Sequence, residues 1–279
     1  MVDPAFALAA ALIWTFSPIY YGGFLKRFDF LTLNFARNSM ATAVLAGPAL
    51  YFGLGAGTGY ALLSGAITLA VGDSLFLLSI RETGASVATP VVYTYVLMVQ
   101  LTASAVGVAV PASNLAAALM VVAGVFVLSR GGGGRPRRRG IGLAVAAALV
   151  WTVGQDLIQV ATTAGGAPVS IAFARSLAAT AALGCAVAAT GRLKGWPRGL
   201  ARRDYGVLAA VAVSDLALGS LLYVTSISLA GVAATVLLTS VSPFLTQVAS
   251  RAMGREAPTA LDFAGGALIV AALALAVLL

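Results

Sequence analysis

The sequence has no histidine, one cysteine and only nine acidic residues. Without histidine, imidazole metal sites, Ser/His nucleophile pairs and histidine proton relays are excluded. The lone cysteine, Cys185, lies in an apolar run and allows no intrachain disulfide. Neither an H-E-x-x-H motif nor a G-x-x-x-x-G-K-[ST] phosphate loop occurs anywhere in the chain. No metal and no cofactor is expected. Charge is scarcest of all, at 9% of residues, against about 25% in a soluble protein. A large core does not explain the shortage, because a soluble surface would still need charge.

What is present is apolar. Hydrophobic residues make up 60% of the 279, and the mean hydropathy is +0.99. Crossing the hydrocarbon layer takes about 20 apolar residues in a helix. Ten such stretches occur, at 4–24, 30–53, 58–80, 84–108, 112–129, 140–162, 168–190, 205–228, 231–250 and 259–279. Their runs are continuously Ala/Leu/Val-rich, without the alternation of membrane strands. The expectation is an all-α membrane protein of ten transmembrane helices, with no room for a soluble catalytic or nucleotide-binding domain. Asp3 and the lack of a basic n-region predict that the first stretch is a retained span and not a signal peptide.

The net charge of +8 is read as topology and not as nucleic-acid binding. Fifteen of the 17 basic residues fall in the odd-numbered gaps between spans: Lys26 and Arg27, Arg81, Arg130 to Arg139, Arg192 to Arg203, and Arg251 with Arg255. The even gaps hold none. Odd gaps share one side of the membrane, which the positive-inside rule makes cytoplasmic. Both termini are then external, and 131–139 is a basic cytoplasmic linker. The cell membrane is the expected location.

The halves 1–130 and 140–279 repeat each other. Ala9–Thr15 matches Ala146–Thr152 at an offset of 137, and Phe35-Ala36-Arg37 matches Phe173-Ala174-Arg175 at 138. Ala70-Val71-Gly72-Asp73 aligns with Ala212-Val213-Ser214-Asp215 at 142; Gly84, Gln100 and Pro111 align with Gly231, Gln247 and Pro258 at 147. Five spans is an odd number, so the second copy enters the membrane inverted. Inverted repeats are a common architecture of secondary transporters, with the solute site between them.

On these residues the chain resembles the ten-helix EamA type of the drug/metabolite transporter superfamily. The resemblance is carried by the Trp ending A-A-L-[IV]-W in each half and the Arg in each second helix. It continues through Thr239-Ser240-Val241-Ser242-Pro243, Gly254-Arg255-Glu256 and the Gly265-Gly266 closing helix. It covers the whole chain and is clearer in the second half. It implies a small-molecule transporter in the lipid bilayer, a monomer or homodimer, with the fourth and ninth helices lining a central cavity. Members of this type are usually taken to have cytoplasmic termini; the basic loops here predict the reverse.

Charge inside a membrane must be paired or face water. Five residues qualify: Arg37, Asp73, Asp156, Arg175 and Asp215. Four form a repeated set, an Arg in each second helix and an Asp in each third, predicting an ion pair within each half. Arg37 and Arg175 lie about seven residues into their spans, near enough to snorkel to the interface. Asp73, Asp215 and Asp156 are alternatively proton-coupling candidates. Trp151, Gln155 and Gln159 share one face of the sixth helix at i, i+4, i+8; the equivalent positions of the first are Trp14, Pro18 and Gly22, with Tyr20 and Tyr21 close by. Tyr93 and Gln100 share a face of the fourth helix, as Ser240 and Gln247 do of the ninth. Pro90 and Pro243 predict kinks. The candidate cavity residues are therefore Trp14, Tyr21, Tyr93, Gln100, Trp151, Gln155, Ser240 and Gln247.

A polar, aromatic cavity without strong charge excess suits an exporter of amino acids or similar polar metabolites. A lipophilic-cation exporter and a lipid-carrier flippase remain alternatives on the same fold. An intramembrane aspartyl enzyme using Asp73 and Asp215 is the alternative from another class, but the G-x-G-D signature is missing. No enzymatic activity is expected.

Overall fold

The computed structural model describes residues 4–131, 138–192, 201–254 and 259–278. The linker residues 132–137, with Lys194, Arg198, Arg255, Glu256 and Pro258, lie outside the described residues. Among those described there is no strand, and the helices fall into ten segments. We number them α1 (Ala5–Phe24), α2 (Phe30–Phe52), α3 (Thr58–Thr83), α4 (Ala85–Val106), α5 (Ala112–Gly131), α6 (Arg138–Thr163), α7 (Pro168–Ala189), α8 (202–230), α9 (232–252) and α10 (Ala260–Leu278). The protein is an all-α membrane protein.

Local chemistry sets several boundaries. Asp29 caps α2, its carboxylate accepting from the Leu31 and Thr32 amides. Proline opens α7, where its missing N–H costs nothing. Gly84 ends α3 at φ 82, ψ 162, and Gly231 ends α8 at φ 78, ψ 161. Only glycine takes this conformation without steric strain. The Gly231 turn is tight enough that α8 and α9 run on as one apolar stretch, Arg202–Thr239. The amide of Val232, first in α9, is met by the Gln159 side chain at 2.8 Å. Gln159 thus caps a helix.

The kinks are symmetric although the prolines are not. Helix α4 breaks at Tyr93-Thr94, just after Pro90; α9 breaks at Ser240-Val241, just before Pro243.

The packing is that of two interlocked inverted units. Helix α1 lies against α8 and α9, and its repeat mate α6 lies against α3 and α4. The remaining pairs, α2 with α7 and α5 with α10, join equivalent helices to each other. Each half therefore lends its first helix to the other half.

The structure corrects one repeat register. Wide helical turns occupy Ala66–Gly72 in α3 and Val213–Gly219 in α8, at an offset of 147. Gly84 and Gly231 carry the same offset. Asp73 is therefore equivalent to Ser220, and Asp215 to Thr68. The short Ala-Val-x-Asp match at 142 joins residues more than one helical turn apart in the repeat. The aromatic packing agrees: Phe76 meets Trp151 at 5.3 Å between centroids, and its mate Tyr223 meets Trp14 at 5.0 Å.

Candidate functional site: a central cavity with one paired and one unpaired arginine

A cavity of about 90 Å³ lies where the halves meet. At roughly 10–15 Å³ of such space per water, it holds several waters or one small solute. Trp14, Tyr21, Tyr93, Trp151 and Gln155 line it, as do Arg37, Asp73, Arg175 and Asp215. The other expected cavity residues are placed elsewhere. Gln100 Nε2 donates to the Ala233 carbonyl at 2.9 Å, Gln247 Nε2 to the Ser86 carbonyl at 3.2 Å, and Ser240 Oγ to the Leu237 carbonyl at 2.6 Å. Gln100 and Gln247 do not face each other; each reaches the backbone of the other half's helix. Asp156 is half-buried on α6 and is not among the lining residues.

Neither membrane arginine snorkels; both are only 3% exposed. Arg37 reaches two carboxylates from one nitrogen, its Nη2 lying 2.7 Å from Asp73 Oδ2 and 3.2 Å from Asp215 Oδ2. Its guanidinium also stacks over the Tyr21 ring, 4.4 Å from the centroid. Each carboxylate also accepts from an aromatic side chain. Tyr21 Oη donates to Asp215 Oδ2 at 2.7 Å, and Trp151 Nε1 to Asp73 Oδ1 at 3.1 Å. Trp14 Nε1 donates to the Asp215 carbonyl at 3.3 Å. Small residues admit the indoles: a Cβ on Gly72 would stand 2.5 Å from Trp151 Cδ1, and one on Gly219 would stand 2.8 Å from Trp14 Nε1.

The expected ion pair within each half forms in the first half only. Arg175 Nη1 donates to Ser220 Oγ at 3.0 Å and Nε to Ser64 Oγ at 3.2 Å. Among the described residues no carboxylate pairs with it. The corrected register explains this: the second half has Ser220 where the first has Asp73, and its aspartate sits five residues earlier, where it turns to Arg37. Ser64, Thr68 and Ser220 escape a search for charged residues. Their signal is the repeat itself, read at an offset of 147 through the third helix.

The comparisons with known proteins agree with this architecture. The model of the EamA-like transporter family matches residues 4–130 and again 138–278. The chain belongs to the EamA-like transporter family. No curated protein matches. Among solved structures, 28 chains match. One crystal structure, at 19% identity, covers 98% of this chain and 96% of its own with a TM-score of 0.75; it is similar in fold.

In this EamA-family chain the two symmetry-related seams are in different states. At the end opposite the basic loops, α3 is closed on α6 and α7. Ser64 Oγ donates to the Gly154 carbonyl at 2.8 Å. A Cβ on Gly57 would collide with the Ala161 backbone, and one on Gly65 with the Arg175 backbone. The equivalent positions at the basic end are Val211 with Ser17 and Asp204 with Phe24. These four residues line an open groove of about 960 Å³ between α1 and α8. Arg27, in the turn after α1, and Asp204 of α8 pair at 2.6 Å at its charged end. Ser17 lines both the groove and the cavity.

Proposed function

We propose that the chain is a secondary active transporter that exports small polar solutes, amino acids or similar metabolites, by alternating access. The observation that carries the reading is the unequal state of two equivalent seams. The α3/α6 seam is closed and the α1/α8 seam is open onto a groove that shares Ser17 with the cavity. In an inverted repeat, exchanging these two states turns an opening toward one side into an opening toward the other. The closed seam is thus a template for the shut form of the open one. With the odd-numbered loops in the cytoplasm, the open groove faces inward and the termini lie outside. That is the state that loads a solute for export.

A second reading has one observation in its favour. Leu12 and Phe16, 55% and 46% exposed, also line the groove. In a bilayer they face acyl chains, which suits lateral entry of a lipophilic cation or a lipid carrier. The enzyme reading is disfavoured by geometry. An aspartyl dyad shares a proton between its carboxyls, whereas Asp73 and Asp215 both rest on one nitrogen of Arg37.

The test is exchange in proteoliposomes of purified protein, screening amino acids against organic cations with and without a pH gradient. Saturable counterflow of an amino acid is expected. Exchange of cations alone selects the second reading, and no exchange of any solute overturns transport.

A further inference from the structure

We infer that Arg175 is the docking point for a carboxylate of the transported solute, which takes the place that Asp73 occupies beside Arg37 in the other half. The inference rests on the transport reading and names the chemistry of its cavity.

The repeat supplies the argument. Arg37 and Arg175 are equivalent, equally buried, and both line the cavity. Arg37 has Asp73 and Asp215 as partners. At the equivalent positions Arg175 has Ser220 and Thr68. Ser220 accepts a hydrogen bond from Arg175 but brings no charge. Among the described residues no salt bridge joins Arg175 to either aspartate. A buried guanidinium lacking a counter-ion is costly in a membrane. Its planar fork fits a carboxylate better than any other common anion of metabolism except phosphate.

The surroundings also lack partners. Thr68 Oγ1, standing at Asp215's equivalent position, and Gln155 Oε1 are buried, line the cavity and make no hydrogen bond among the described residues. The Thr68 hydroxyl can donate to a carboxylate held by Arg175, and Gln155 can accept from an ammonium group. Two arginines and two aspartates leave the cavity neutral. A zwitterion preserves that balance, while an amine alone meets an unpaired Arg175. A phosphate would carry more negative charge into a cavity whose other arginine, Arg37, already has two aspartates beside it.

The test uses three probes that share an isobutyl group: valine, 3-methylbutanoate, which lacks valine's amine, and isobutylamine, which lacks its carboxylate. Binding to the purified full chain is read from the fluorescence of the tryptophans, Trp14 and Trp151 being in the cavity wall. Valine and 3-methylbutanoate are expected to bind and isobutylamine not to. Arg175→Gln should weaken both by about tenfold or more, the value of a hydrogen bond to a charged group, with Arg175→Lys between. Ser220→Asp is the sharper variant, because it gives Arg175 the internal carboxylate that Arg37 already has. It should abolish carboxylate binding while the protein stays monodisperse. Carboxylate binding unchanged in Ser220→Asp, or absent from the wild type, overturns the site. Counterflow of isobutylamine without carboxylate binding overturns the site and leaves transport standing. Carboxylate binding without counterflow of any probe supports the site and removes transport.

Discussion

Gln247 of α9 donates from Nε2 to the carbonyl of Ser86 in α4 at 3.2 Å, the carbonyl that an unbroken helix would join to the amide of residue 90. Residue 90 is proline and has no amide hydrogen. The symmetric bond, Gln100 to Ala233, reaches a carbonyl with no proline four residues on. The two bonds look alike and do different work. One supplies a missing helical donor, and the other adds a second donor to a carbonyl already in a helical ladder.

The difference is measurable. Gln247→Leu should cost about 1–2 kcal/mol, toward the upper end of interhelix hydrogen bonds in membranes. Gln100→Leu should cost less. Pro90→Ala restores the amide and should reduce the cost of Gln247→Leu in the double variant. Thermal unfolding in detergent of the wild type, Gln247→Leu, Pro90→Ala and the double variant forms the cycle, with Gln100→Leu measured beside it. Equal costs for both glutamines, with no coupling to Pro90, would show that the kink is not what Gln247 serves.

The two arginines should differ in stability as they differ in partners. Arg37→Gln leaves Asp73 and Asp215 buried beside each other with their shared cation gone, an arrangement expected to cost about 3–5 kcal/mol. Arg175→Gln leaves only the Ser64 and Ser220 hydroxyls behind, at a cost of about 1–2 kcal/mol. Melting temperatures of the two variants decide the order. A larger loss from Arg175→Gln would contradict the assignment of carboxylates to Arg37.

The proposed coupling of transport to a proton gradient by the cavity aspartates makes its own prediction. Asp73→Asn and Asp215→Asn should abolish most gradient-driven uptake while leaving solute counterflow, because exchange needs no net proton movement. Asp156 lies outside the cavity lining, so Asp156→Asn should leave both unchanged. Uptake in proteoliposomes with an imposed pH gradient separates the three. If Asp73→Asn and Asp215→Asn drive uptake as well as the wild type, these groups carry no proton.

Much of this was legible before the structure. Span length and the repeat are one-dimensional signals: a span must cover the hydrocarbon layer whether or not its helix is kinked, and the family model matches the two halves separately. Trp14 and Trp151 could be found as cavity residues because the repeat places them identically. The Gln100 and Gln247 contacts were not legible, since which of two polar residues on a face meets a backbone carbonyl depends on where the neighbouring helix is broken. The pairing of Arg37 with both aspartates was hidden by a misleading local match. Ala-Val-Gly-Asp and Ala-Val-Ser-Asp look like repeat equivalents, but the shared glycine turns at Gly84 and Gly231 fix the register five residues away. The inequality of the two seams was not legible either, because the repeat aligns Ser64 and Gly154 with Val211 and Ser17 without saying which pair is in contact.

That inequality gives the last prediction. The α3/α6 seam is shut because Gly57 leaves no side chain against the Ala161 backbone. Gly57→Leu should act as a wedge that holds this seam apart, and the coupled halves should then close α8 onto α1. The closing contact at the basic end is Ser17 against Val211, by symmetry with Gly154 and Ser64. Cysteines at these two positions, introduced after replacing the exposed Cys185 by alanine, should crosslink slowly with a short bifunctional maleimide in the otherwise native chain and quickly when Gly57→Leu is added. Impermeant thiol reagents should show the converse in the single Ser17→Cys variant, labelling the new thiol from the basic side without the wedge and losing access to it when Gly57→Leu is added. Identical crosslinking and labelling with and without the wedge would mean that the two seams move independently. The open groove would then be a fixed feature of the bundle and not one half of an exchange.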